Sequence, residues 1–148
     1  MEVHFRNLAG RPLEQGLGRL LEEVLSGGRR AIVIAGSAER VEALDLGLWT
    51  FDPASFLPHA AAGSGDDAAG QPVLLTTGEE AGNGATVAVV VDGVEIGRPE
   101  RFDLVHHMFD RQDAAAREAA RLRWKKLKDA GAELSYWEFG QQGWRRGA

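Results

Sequence analysis

The residues best suited to do chemistry lie between Arg117 and Lys128, where REAARLRWKKLK carries six basic residues against one acidic. On a helical wheel at about 100° per residue, Arg117, Arg121, Trp124, Lys125 and Lys128 fall within one arc of about 100°. Ala116, Ala119, Ala120, Leu127 and Ala130 fall opposite, with Arg123 among them. Like charges at i, i+4, such as Arg117 with Arg121, weaken a helix by a few tenths of a kcal/mol, so a mere solvated face would carry alternating acids. A tryptophan in the same arc adds apolar area beside the charge. Guanidinium, ammonium and indole together can seat a short acidic peptide ending in an apolar residue and a carboxylate, or stack a base over a phosphate backbone. The patch is short and the chain carries a net charge of -5, which favours the peptide.

A second group is LDLGLWTFDPASFLPH, in which Trp49, Phe51, Phe56 and Leu57 fall within nine positions broken by Pro53 and Pro58. Such a loop either folds into the core or stays exposed as a partner site.

Other chemistries find little support. With no cysteine and four histidines in 148 residues, disulfide scaffolds, zinc ribbons and thiol nucleophiles are excluded, and neither a metal nor another cofactor is expected. The strand-to-helix turns NLAGRPLEQG and AGSAER match neither dinucleotide nor phosphate-loop patterns. GSGDDAAG reads as a linker, while Asp66-Asp67 and Glu79-Glu80 read as solvated loop acids. His106 and His107 follow one another on a strand and point to opposite faces, which disfavours a shared metal; one is expected half-buried and the other exposed. No serine pairs by motif with a histidine and a carboxylate. An enzyme acting on a phosphorylated ligand is therefore the weaker reading, and no catalytic residue is predicted.

The elements that must position these residues follow from periodicity. The opening EVHF alternates as a strand, and Leu13, Leu17, Leu20, Leu21, Val24 and Leu25 recur at helical spacing from Pro12 to Ser26, closed by Gly27-Gly28. AIVIAG is a continuous apolar run typical of a strand covered on both faces, and Ser37 caps a helix from about Ala38 to Trp49. The long stretch from Thr50 to Gly70 reads as a loop. QPVLLTTG and ATVAVVVDG read as two strands, with a hairpin the simplest link. RFDLVHHMF is a further strand, Asp113 caps a helix over Ala114 to Ala130, and ELSYWEF is a closing edge strand. The tail GQQGWRRGA is too polar and Gly-rich to need fixed structure.

This order predicts an α/β class: a Rossmann-like three-layer α/β/α domain with a mixed, mostly parallel central sheet over residues 1–139, and a flexible basic tail over 140–148. The first residues lack the basic patch and apolar run of a signal peptide, and no apolar stretch reaches membrane-spanning length, so a cytoplasmic protein without a membrane partner is expected.

LDLGLWTFDPASFLPHAAAG, the strand closing on FDLVHHMFD and the helix AAREAARLRWKKLKDAGAEL together resemble the chi subunit family of the bacterial DNA polymerase III holoenzyme, in order from the first strand to about Tyr136. The resemblance implies a non-catalytic accessory of the clamp-loader complex in the replisome. It implies that the acidic, Phe-terminated tail of single-stranded-DNA-binding protein docks at Arg117, Arg121, Trp124 and Lys125 with Phe109 as an apolar neighbour, where the wheel adds Lys128, and that DNA is met only indirectly. It also implies that Trp49, Pro53, Phe56, Pro58 and His59 face the psi subunit or another clamp-loader subunit. The Gly-rich loops and the basic tail Trp144-Arg145-Arg146 depart from the enterobacterial pattern.

Overall fold

A computed structural model describes residues 1–62 and 68–147; Asp66-Asp67, most of GSGDDAAG and Ala148 lie outside the described residues. The elements run β1 (Glu2–Asn7), α1 (Leu13–Ser26), β2 (Ala31–Ile34), α2 (Ala38–Thr50), β3 (Ala60–Ala61), β4 (Val73–Thr76), β5 (Val87–Val90), β6 (Leu104–Phe109), α3 (Ala114–Asp129), β7 (Glu133–Gly140) and β8 (Gly143–Arg146). The strands form one sheet in the order β3-β4-β2-β5-β6-β1-β7-β8. Every neighbouring pair is parallel except β7 with β8. The predicted three-layer α/β fold with a mostly parallel sheet is the fold observed.

Helices α1 and α2 pack together on one face. Leu17, Leu20 and Leu21 from α1 and Val41, Leu44 and Leu48 from α2 meet Val33, Leu75 and Val89 of the sheet. On the other face α3 covers Val3, Phe5 and Val105 through Ala120, Trp124 and Leu127, while Ala81 and Ala85 before β5 and Val94, Ile96 and Phe102 after it cover Ile32, Ile34 and Val90. The caps form as their sequences predict: Ser37 Oγ accepts the Arg40 N–H at 3.2 Å, and Asp113 Oδ1 accepts the N–H groups of Ala115 and Ala116. Two glycines within α1 permit close approach. A Cβ at Gly16 would collide with Leu8, and one at Gly18 would lie 2.6 Å from the Phe51 ring.

The structure departs from expectation in four places. β4 and β5 do not form a hairpin; they flank β2 on either side, Ala31 pairing with Val73 and with Val87. Their unbroken apolar runs suit strands buried on both faces, and that signal outranks the turn chemistry between them. β7 is not the edge: it pairs parallel to β1, and the tail folds back as β8, with Phe139 opposite Trp144. Trp144 fixes this strand, donating from Nε1 to the Gly16 carbonyl at 2.9 Å and packing 5.0 Å from the Phe139 ring. A residue pair, Ala60–Ala61, of the long loop adds β3 to the far edge. His106 and His107 are both buried, because β6 lies between β5 and β1 with cover on each face.

These histidines do point to opposite faces. His106 Nδ1 accepts from Arg6 Nε at 3.2 Å, and the buried Arg6 guanidinium lies 4.2 Å from the Trp137 ring centroid and 5.2 Å from that of Trp144. Burial lowers the Arg6 pKa to about 10, so it remains a cation at neutral pH. Burial, reinforced by the Arg6 charge, holds His106 well below its ordinary range. Burial, with Arg123 adding to it, lowers His107 to about 3.

Candidate peptide-binding cleft

The chain supplies a cleft where α3 leaves the sheet. Asn7, buried at the end of β1, ties three segments together. Its Oδ1 accepts the N–H groups of Ala9 (3.0 Å) and Arg111 (2.9 Å), and its Nδ2 donates to the Tyr136 hydroxyl at 2.8 Å. The end of β1, the turn after β6 and the middle of β7 are thereby tied together beside the first turns of α3.

Between them opens a cavity of about 290 Å³ lined by Phe109, Arg111, Arg117, Glu118, Ala120, Arg121, Trp124 and Tyr136. Its floor is aromatic and alanyl, and its rim carries three guanidinium groups and one carboxylate. The Trp124 ring rests edge-on against Phe5, with centroids 5.1 Å apart. Trp124 therefore belongs partly to the packed stripe and not wholly to the outward arc. On the wheel it stands about 40° from Ala120, the most buried position of α3.

Four predicted residues, Phe109, Arg117, Arg121 and Trp124, are brought together here. Lys125 and Lys128 are exposed on α3 but outside the cleft lining. Sequence reasoning missed Arg111 and Tyr136. Arg111 sits in the turn between β6 and the α3 cap, and Tyr136 faces α3 by strand alternation from Leu134. The one acid of the segment is placed to offset the rim: Glu118 accepts from Arg121 Nη2 at 2.7 Å and from Nε at 3.1 Å. This exposed pair lowers the Glu118 pKa and raises that of Arg121. Arg117 donates to the Arg111 carbonyl at 3.2 Å. The rim can accept an incoming carboxylate when Arg121 exchanges Glu118 for it; an apolar side chain attached to that carboxylate would meet the floor.

The aromatic loop forms a separate surface on α2 and its C-terminal extension. Phe56 is 78% exposed, Leu46 70% and Trp49 47%, while Leu57 is buried and anchors the segment. The Trp49 ring lies 6.0 Å from Phe56 and 4.1 Å from His59. His59 is itself buried, its Nδ1 2.6 Å from the Leu57 carbonyl and its Nε2 3.0 Å from the Asp45 carbonyl. Of the predicted five, Trp49, Pro53 and Phe56 are exposed, Pro58 is half-buried, and His59 supports the others from beneath. Arg19 holds the loop to α1 through Asp52 at 2.6 Å.

Among the described residues, no cluster of histidine and acidic side chains is placed to hold a metal, and no helix is long and apolar enough to cross a membrane.

A mostly parallel, helix-covered sheet without phosphate-loop motifs, carrying a cationic cleft beside an exposed helix, defines a three-layer α/β protein whose fold alone assigns no function. The family model described as DNA polymerase III chi subunit, HolC, matches residues 1–135, and the chain belongs to that family. It is thus a replication accessory subunit within the DNA polymerase III complex. None of the curated proteins searched matches the chain. The matched region includes both surfaces apart from Tyr136, and stops before most of the β7–β8 hairpin.

Proposed function

We propose that this chi-family subunit links single-stranded-DNA-binding protein to the clamp-loader complex, gripping the acidic, Phe-terminated tail of the former in the α3 cleft. The observation that carries this reading is the convergence of Arg111, Arg117 and Arg121 on an apolar floor made by Phe109, Trp124 and Tyr136. Such a site suits one terminal aromatic residue with its carboxylate, whereas a coat for single-stranded DNA needs an extended basic groove. Lys125 and Lys128 continue the positive field along α3 and would meet the acidic residues preceding the terminus. The exposed trio Leu46, Trp49 and Phe56, supported by Pro53, Pro58 and His59, docks the psi subunit or another clamp-loader subunit.

Titration with a fluorescent peptide bearing that tail, beside the same peptide amidated at its carboxyl end, tests the cleft. Saturable binding of the free acid with a large loss on amidation is expected, because the amide removes the charge that the rim guanidinium groups would pair with. Equal binding of acid and amide, or none of either, would remove the assignment. An oligonucleotide alone that outcompetes the peptide would replace it with direct single-strand binding.

A further inference from the structure

On the opposite side of α3 from the peptide cleft, a larger crevice opens above the carboxyl ends of β1, β5 and β6. The chain reverses its winding here: from β1 it crosses by α1 over one face, and from β6 by α3 over the other, with β1 and β6 adjacent. In open parallel sheets that reversal leaves a gap between strand ends, the ordinary place for a small ligand. The crevice measures about 590 Å³, within the range of small-molecule sites.

Its lining is chemically uneven. Leu8, Leu13, Val90, Met108 and Phe109 give it an apolar wall. Three carboxylates line it, and each is already satisfied. Asp92 accepts from the Gly36 N–H and from Arg40, Asp110 from the N–H groups of Gly10 and Gln112, and Asp113 caps α3. The remaining two cations are under-used. Among the described residues the Arg11 guanidinium has no hydrogen-bond acceptor, and half-buried Arg123 donates only to the Gly93 carbonyl at 3.1 Å, with Glu95 as far as 3.9 Å. The independent observation is His107. It is only 6% exposed, it lines the crevice, and its Nδ1 has no partner. A buried ring nitrogen left without a partner costs stability unless something met there repays it. The loops that shape the mouth also hold two non-glycine residues in the left-handed region, Ala9 at φ 54° and Asp92 at φ 59°.

We propose that this crevice binds a small organic anion, a phosphate or carboxylate carrying an apolar group, with Arg11 and Arg123 on the anion, His107 as a hydrogen-bonding partner and the Leu8–Met108 wall against the apolar part. The head group is the shared chemistry, and the two sources are separated by probe. The site is distinct from the peptide cleft, although Phe109 and Ala120 line both.

The full chain is titrated with phenyl phosphate, benzoate and inorganic phosphate while the His107 imidazole and the Ala116 amide are followed by nitrogen-15 NMR. Saturable low-millimolar or tighter shifts at both are expected from phenyl phosphate or benzoate, the tighter one naming the head group, with inorganic phosphate weaker because it lacks the apolar part. Arg11→Ala, a loop substitution away from the core, should weaken the better probe about tenfold, the size of one charge-assisted hydrogen bond. It should leave tail-peptide affinity unchanged. No saturable shift with either organic probe, shifts confined to Trp124 and Arg121, or an Arg11→Ala protein that binds as tightly as wild type would each overturn the proposal. Because peptide affinity is read separately, failure here leaves the cleft assignment intact.

Discussion

The α3 cleft and the α2 aromatic patch are both exposed, yet they are built on opposite physical terms. The cleft is concave, rimmed by Arg111, Arg117 and Arg121, and floored by rings that also pack on Phe5. The patch has no charge among Leu46, Trp49 and Phe56, which are held out by a loop whose buried member is Leu57. A charged concave site selects for a terminus and tolerates solvent; an uncharged exposed one contributes only when a partner removes it from water. On the function proposed, one subunit would hold two partners at once with little cross-talk, since nothing that loosens one grip need loosen the other.

The largest effect should come from charge reversal at the rim. Arg121→Glu places a carboxylate where the tail's own carboxylate must sit and should weaken tail binding about a hundredfold or more, while the exposed helix position keeps the fold intact. Affinity for the clamp-loader partner should not change. A folded Arg121→Glu protein with wild-type tail affinity would show that the cleft is not the site. The reciprocal substitution, Trp49→Ala, should cost the clamp-loader partner about thirtyfold, the scale of an aromatic hot spot, and leave the tail untouched. Calorimetry of both variants against both ligands gives a two-by-two test, and loss of both affinities in either variant would break the claimed independence.

Beneath both surfaces, the buried histidines make folding sensitive to pH. His107 is buried below α3 and stays neutral down to about pH 3, lowered by burial and then by Arg123. In the unfolded chain it protonates below about 6.5. The unfolded state therefore binds more protons between those values, and stability falls as pH drops from about 6.5 towards 3. At pH 5.5 the loss from this one residue is about 1 kcal/mol, and His106, lowered in the same direction, adds to it. Urea midpoints should fall accordingly between pH 7.5 and 5.5, less in His107→Gln. A midpoint independent of pH in that window would show that neither ring is held neutral.

How much of this was legible beforehand depended on how local each signal was. α1, α2 and α3 lie within a residue or so of their predicted bounds because cap and apolar spacing are written within one helix. Strand order was not, since it depends on which apolar runs meet across the sheet: VLLT and VAVV look like hairpin partners in sequence and are separated by β2 in space. The tail misled for the same reason. Its composition is that of a free terminus, but a single residue, Trp144, finds Gly16 and Phe139, far away in the chain and nearby in sequence respectively. At the cleft, the wheel found Arg117, Arg121 and Trp124, which share one helix. It could not find Arg111 or Tyr136, which reach the cavity from other elements, nor show that Trp124 would turn towards Phe5. The two histidines follow the same logic: alternation placed them on opposite faces, whereas their burial depended on β6 being central.

The smallest effect is the one that most directly separates the two surfaces. Raising salt from low to moderate screens the exposed guanidinium groups of the cleft, because the Debye length contracts to about 8 Å at physiological ionic strength. Arg121 is exposed to that screening, with Glu118 its one ion-pair partner among the described residues, and salt weakens this internal pair as well as the incoming one, so part of the loss cancels. Tail affinity should fall only about three- to fivefold rather than by the orders of magnitude seen when many phosphate counterions are released. The aromatic patch, lacking charge, should show no decrease and a slight gain as salt strengthens apolar burial. Equal salt dependence at both surfaces, measured by the same titration, would mean that the clamp-loader partner brings its charges to α2 after all. A steep loss at the cleft would instead point to a ligand with many phosphates, and so to nucleic acid.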